Sequence, residues 1–350
     1  MKRFSLVLAS ALALFVTVGT AQQTGPYKVL RTAKVGGDGG FDYVNADSVG
    51  RRLYVARSGP MARLTIWNLD TLMPAGEIPA MGGIHGAVVD PKSHHGIAST
   101  KPITFFDSNT GMPISKIDVM GNPDGLLYEP STATGWVLSH AMPHVQVIDM
   151  ANGTVKGTID LGGQPEQAAS DNAGHVYIDL EDKASIAVVD AKTMMVTAKY
   201  DLMDKGGFCA GLALDVKNQI LFASCRMPAN MVVLSAKDGH IITTLPISPG
   251  SDGAVFNPQT MEAFSSQGDG TLTIVKENSP TSFVVEQTLQ TMTGGKTLTL
   301  DAKTGHIFII AAEYGAPPAP PAGAAAPAGG GRGGRGPMVP GSFSILEVGK

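Results

Sequence analysis

One set of ionisable residues recurs along this chain at nearly constant intervals. Asp42, His85, Asp124, Glu166, Asp252 and Lys296, with Ala210 in the fifth of seven places, are spaced by 43, 39, 42, 44, 42 and 44 residues. Charged residues make up only 16% of the chain, so six ionisable groups in seven equivalent places exceed the background. Carboxylate oxygens and imidazole nitrogen are suitable ligands for a divalent cation, which makes Asp42, His85, Asp124, Glu166 and Asp252 a candidate metal set. The same groups, with Lys296, can instead hold a small polar ligand. They can also simply be the solvated rim of a water-filled opening, because charged groups must be hydrated or paired. No local metal motif selects among these, since every candidate comes from a different repeat.

The repeat itself says what must position them. Five residues after each place stands an acidic or amide marker: Asp47, Asp90, Glu129, Asp171, Asp215, Asn257 and Asp301. Each marker follows an apolar stretch and precedes a short polar turn and a second apolar stretch. A further pair of strands interleaves, as in LTIWNLDTLMPAGEI from Leu64 and VQVIDMANGTVKGTI from Val145. Alternation is nearer period 2 than 3.6, and turns such as Asn152-Gly153 suit hairpins. Four strands, A to D, per period of about 42 residues is a propeller blade. The chain is therefore predicted to be an all-β, seven-bladed β-propeller.

Equivalent positions in a propeller lie on a circle, so the ionisable set should ring one mouth of the central channel. The next place along reads Tyr43, Gly86, Gly125, Gln167, Gly211, Gly253 and Thr297, and its glycines suit inner strands that crowd near the axis. The ends of the B strands open on the same face and add Arg57, Lys101, His140, Glu181, Arg226, Gln267 and Glu313 outside the ring. Arg57, His140 and Arg226 join the ligand-binding candidates. His94 and His95 fall in the blade 2 A–B turn, on the opposite face, and are expected to be solvated. His175, His240 and His306 sit at turn-to-strand junctions, where structural roles suffice, and His144 lies near His140.

The last repeat has strands A, B and C but no D. The segment 27–35 matches the missing strand and should complete blade 7 beside 343–348, closing the ring and removing exposed edges. If Asp215 faces Gln219, the two cysteines, Cys209 and Cys225, are directly opposed on the inner strands of blade 5. A disulfide there suits an oxidising compartment better than a redox or metal role, since CxxC spacing is absent.

Residues 1–21 read as a cleaved signal peptide: Lys2 and Arg3, an apolar run from Phe4 to Val18, and small residues before a cut after Ala21. Residues 22–350 then form one propeller domain, periplasmic or secreted, with an Ala/Pro/Gly-rich insertion at about 314–341 that cannot bury a core. A net charge of −4 argues against nucleic acid, and no segment of the mature chain is long enough to span a membrane.

The pieces RRLYVAR from Arg51, VVDAKT from Val188, GHVYIDLEDK from Gly174, SSQGDGTLTIV from Ser265 and VPGSFSILEVG from Val339 carry a family resemblance. On them the chain resembles the YncE-like, YVTN-type bacterial β-propellers, exported seven-bladed proteins, although VARS, VLSH and VYID stand where the eponymous tetrapeptide would. The expected function is a binding or scaffold protein of the cell envelope, a monomer acting through one channel mouth on a small polar ligand or an envelope protein. The alternative is a metal-dependent hydrolase, lactonase- or esterase-like, with His85 and the carboxylates at that mouth. No cofactor is expected apart from a possible divalent cation. A haem- or quinone-linked redox role is disfavoured by the missing CxxCH and by only two tryptophans.

Overall fold

The computed structural model describes residues 25–79, 83–316 and 336–350. The expected signal peptide lies outside the described residues. Among the described residues, twenty-eight strands form seven four-stranded antiparallel sheets. Six run A-B-C-D in chain order. Blade 1, for example, is Phe41–Asp47, Arg52–Arg57, Arg63–Asn68 and Pro74–Ile78. The innermost strands touch their neighbours in sequence around the axis, and the last, Lys296–Leu300, returns to the first. Apolar side chains from facing sheets fill the spaces between blades, as Trp136, Leu138, Val176 and Ile178 do between blades 3 and 4. Among the described residues no helix is long and apolar enough to cross a membrane.

Blade 7 is closed by the other end of the chain. Strand Lys28–Lys34 pairs antiparallel with Ser344–Gly349, in the order D-C-B-A with Ile307–Ala311 and Lys296–Leu300. Tyr27, just before that strand, is buried, and its hydroxyl donates to Glu262 of blade 6.

The markers have a structural cause. Each ends an A strand or, as Asp171 and Asp301 do, directly follows it, is buried, and turns its side-chain oxygen back onto the A–B turn. Asp47 accepts the backbone N–H groups of Val49 and Gly50 at 3.1 and 2.8 Å, and Glu129 those of Ser131 and Thr132 at 3.0 and 2.8 Å. Asn257, the one amide, accepts from Gln259 at 3.0 Å. Only an acceptor on a short stem can do this, which is why the place is restricted to Asp, Asn and once Glu.

The disulfide Cys209–Cys225 is formed, between strands Cys209–Asp215 and Ile220–Arg226. The register leading to it differs from the expected one. Asp215 faces Ile220, not Gln219, and a bulge between Cys209 and Gly211 restores the Cys209–Cys225 pairing.

Candidate functional site

That bulge is general. The A strands of blades 1, 3, 4, 5, 6 and 7 all break register at the ionisable place or next to it, as between Phe41 and Val44 or between Pro165 and Ala168. In blade 2, His85 precedes the strand, which begins at Ala87. A bulge leaves a residue unpaired and re-aims it, here toward the axis at the mouth where strands A begin and strands B end.

The side chains so aimed form a closed cycle of alternating acid and base. His85 Nδ1 lies 2.7 Å from Asp42 Oδ2 and 3.2 Å from Asp124 Oδ1. His140 Nε2 lies 3.8 Å from Asp124 Oδ2 and 3.1 Å from Glu166 Oε2. The Arg226 guanidinium spans from Glu166, at 4.0 Å, to Asp252, at 2.6 Å, with Glu181 attached at 3.4 Å. Lys296 Nζ closes the cycle between Asp252, at 2.9 Å, and Asp42, at 3.3 Å. Four carboxylates therefore alternate with two imidazoles, a guanidinium and an ammonium.

All six ionisable residues of the repeated place lie in this ring. His140 and Arg226, expected outside it, complete it. They occupy the sector of blades 3 to 5, where the repeated place supplies only Glu166 and Ala210 after Asp124. Arg57, at the equivalent B-strand end of blade 1, does not join the ring. Its guanidinium is buried under segment 36–40, where it donates to the carbonyls of Gly36, Gly37, Asp38, Gly39 and Gly40, and it stacks 3.7 Å over the Phe343 ring. Gly36, Gly37 and Gly39 have φ of 66°, 81° and 92°, a left-handed backbone that folds those carbonyls over the charge. Lys101 donates to the Gly121 carbonyl, and Gln267 is buried against Ser265. His95, expected to be solvated, has its Nδ1 2.8 Å from the Met150 carbonyl and packs on Phe105. His144, His175 and His306 are partnered by Asp160, Asp171 and Glu347, which are structural contacts.

Beneath the ring, side chains reach across the axis. Tyr43 crosses it and donates its hydroxyl to the Glu166 carbonyl at 3.2 Å. Gln167 Oε1 accepts from the N–H groups of Leu212 and Ala254, each at 3.0 Å, and its Nε2 donates to the Ala254 carbonyl. Gly211 meets the Gly253 backbone so closely that a Cβ would fall 2.6 Å from it. The remaining axial cavity, about 430 Å³, lies below this floor, lined by residues such as Val88, Leu127, Ala168 and Thr299. The ring is thus the rim of a shallow polar dish.

Electrostatics follow from this packing. The bond to Glu166 raises His140 to about 9, against burial, which lowers it; the Asp124 and Glu181 charges add to the rise. Burial pushes Glu166 above the ordinary carboxyl range, opposed by His140. The Asp124, Glu181 and Asp252 charges add to the rise of Glu166. Tyr43, buried under the Glu166, Asp124, Asp42 and Asp252 charges, is pushed well up and remains a hydrogen-bond donor. Asp179, on the B strand of blade 4, is fully buried; one oxygen accepts the Gln167 N–H at 2.6 Å and the other has no hydrogen-bond partner. Burial pushes it well above the ordinary carboxylate range, opposed by the Gln167 N–H and the Arg226 charge. An acid inside the apolar run VYIDL was the sequence signal for this group.

Two subsets have the make-up of metal-binding triads: Asp42 with His85 and Asp124, and Asp124 with His140 and Glu166. Within each, the ligand atoms lie within 4.8 Å of one another. Asp252 belongs to neither, because Arg226 and Lys296 hold it. Both triads place imidazole nitrogen beside two carboxylates, so they suit a divalent cation, provided the cation displaces the histidine proton.

Among solved structures, the chain is similar to one in a structure entitled "Crystal Structure of Mitotic Checkpoint Complex". The TM-score is 0.68 at 11% identity, covering 87% of this chain and 95% of that one. No family model and no curated protein sequence matches the chain. At this identity the likeness shows the shared seven-bladed, WD40-like propeller architecture and nothing further.

Proposed function

We propose that the protein is an exported binding protein of the cell envelope, of the YncE-like kind, which holds a partner on its ring face without catalysing a reaction. One observation carries this reading: every carboxylate of the ring is paired on both sides. Asp42, Asp124, Glu166 and Asp252 each face two bases. A general base needs a lone pair turned toward substrate, whereas a docking surface gains from groups already fixed and neutralised before the partner arrives. The side chains of Tyr43 and Gln167 that cross the axis beneath the ring also favour a surface over a passage. A photo-crosslinking residue in place of Met142, on this face, should yield covalent adducts in the producing cells. The same residue in place of Met73, on the opposite face, should yield few. Equal yields from both faces would end the reading.

The two triads favour a second reading, the metal-dependent hydrolase of lactonase or esterase type. It requires one or more divalent cations at Asp42, His85, Asp124, His140 and Glu166. Titration calorimetry with zinc or manganese, and a lowered melting temperature after chelation, would support it. No heat of binding and no shift would remove it.

A further inference from the structure

Large apolar side chains are exposed on both faces, and those of the ring face are grouped. Met120, Met142, Met203, Phe208 and Met227 are each more than half exposed, and all lie in D–A or B–C connections on the ring face. Met61, exposed on the same face over blade 1, stands apart, while these five gather at two points. Over blade 3, the loop of Met120 is tied to that of Met142 through Ser139, whose hydroxyl accepts the Asn122 N–H at 2.9 Å and donates to the Ala141 carbonyl at 2.6 Å. Over blade 5, the Met227 N–H donates to the Gly207 carbonyl at 3.1 Å, placing Met227 beside the segment of Met203 and Phe208. Met227 directly follows the ring base Arg226, and Met142 stands two residues after the ring base His140.

Between the two points the loops are acidic. Asp160, paired with His144, Glu181, paired with Arg226, and Asp182 lie there, and Asp118 and Asp204 share the loops of Met120 and Met203. The lysines of the same loops, Lys183 and Lys205, each fold onto the preceding aspartate, at 3.0 and 3.1 Å. Scattered apolar residues on a surface are ordinary, but apolar groups flanking one acidic strip are not. Methionine is unbranched and polarisable, so such groups adapt to varied apolar side chains, while the carboxylates set the charge of what approaches.

We propose that this crescent over blades 3 to 5 docks an extended segment of a partner protein in which basic residues are flanked by apolar ones. The inference rests on the binding reading above and names the chemistry of the partner. The apolar flanks sit on the methionine groups, and the basic centre lies along the aspartates between them.

A fluorescein-labelled peptide Leu-Leu-Lys-Arg-Lys-Leu-Leu is the probe, and Leu-Leu-Glu-Asp-Glu-Leu-Leu its control. Anisotropy titration should show the basic peptide binding at least tenfold more tightly than the acidic one. The paired change Met142→Ser with Met227→Ser should weaken it about tenfold, while Met73→Ser with Met112→Ser, on the opposite face, should leave it unchanged. All four side chains are exposed, so thermal melts should match those of the parent protein. As a second readout, the basic peptide should slow peroxide oxidation of Met142, Met203 and Met227 but not of Met73 or Met112. Equal affinity for both peptides, or protection of the opposite face, would overturn the proposal. If the ring face yields crosslinks in cells yet shows no preference for the basic peptide, the inference falls and the binding reading stands. If the crosslinks fail as well, both fall.

Discussion

His140 is the ring base whose contact with a carboxylate most directly favours its charged form. Its Nε2 meets Glu166 at 3.1 Å, and that bond raises it to about 9 from an ordinary value near 6.5. A group whose folded value is raised contributes stability fully below its unfolded value, and that contribution fades as pH rises through the folded one. The contribution of His140 is therefore complete below about pH 6.5 and lost as pH passes about 9. Proton NMR of the imidazole should find a midpoint close to 9, and Glu166→Gln should return it toward the ordinary value. A midpoint near 6.5 in the unaltered protein would contradict the geometry. The residue type was legible in the sequence, and so was its place at a B-strand end. Its inclusion in the ring was not, because that depends on how far an imidazole or guanidinium reaches past a bulge. Arg57 shows the same limit from the other side: it occupies the same place, but three left-handed glycines bring five carbonyls to it first.

The strands were easier to read than the side chains at their ends, because each marker answers a local demand. The A–B turn needs an acceptor two or three residues back, and Asp, Asn or Glu supplies it. Register is less local. Counting from Asp215 to Gln219 reached the correct cysteine partners only because an assumed offset and an unforeseen bulge cancel. The bulge has a use, since the same irregularity aims Asp42, Asp124, Glu166 and Asp252 at the axis. In blade 5 the bulge residue is Ala210, and the disulfide ties that strand end to Cys225, next to the ring base Arg226. Replacing both cysteines by alanine should cost about 3 kcal/mol for a closed loop of this size in the chain-entropy model. Urea unfolding of the double variant measures it, with an unchanged midpoint as the contrary result. Arg226 should also lose some of its fixed position, which would show as weaker ring-face binding before any loss of fold.

At the scale of the whole molecule, one strand decides whether seven sheets are a ring or an open stack. Lys28–Lys34 supplies the fourth strand of blade 7, and Tyr27 extends the closure by packing on Phe264 with its ring and binding Glu262 with its hydroxyl. Without this segment the backbone of Ser344–Gly349 becomes an exposed edge, with unpaired N–H and C=O groups that invite pairing with another chain. The contact is also the longest in sequence, joining residues more than 300 apart, so it couples the first and last blades into one cooperative unit. Blade 1 and blade 7 hold Asp42 and Lys296, whose contact at 3.3 Å closes the charged cycle. A protein lacking residues 22–34 should therefore unfold in more than one step, aggregate at concentrations where the parent is monodisperse, and bind the basic peptide more weakly although blades 3 to 5 are untouched. Calorimetry and light scattering read the first two. A truncated protein that melts in one transition at the parent temperature would mean that the remaining six complete blades hold the ring shut by themselves.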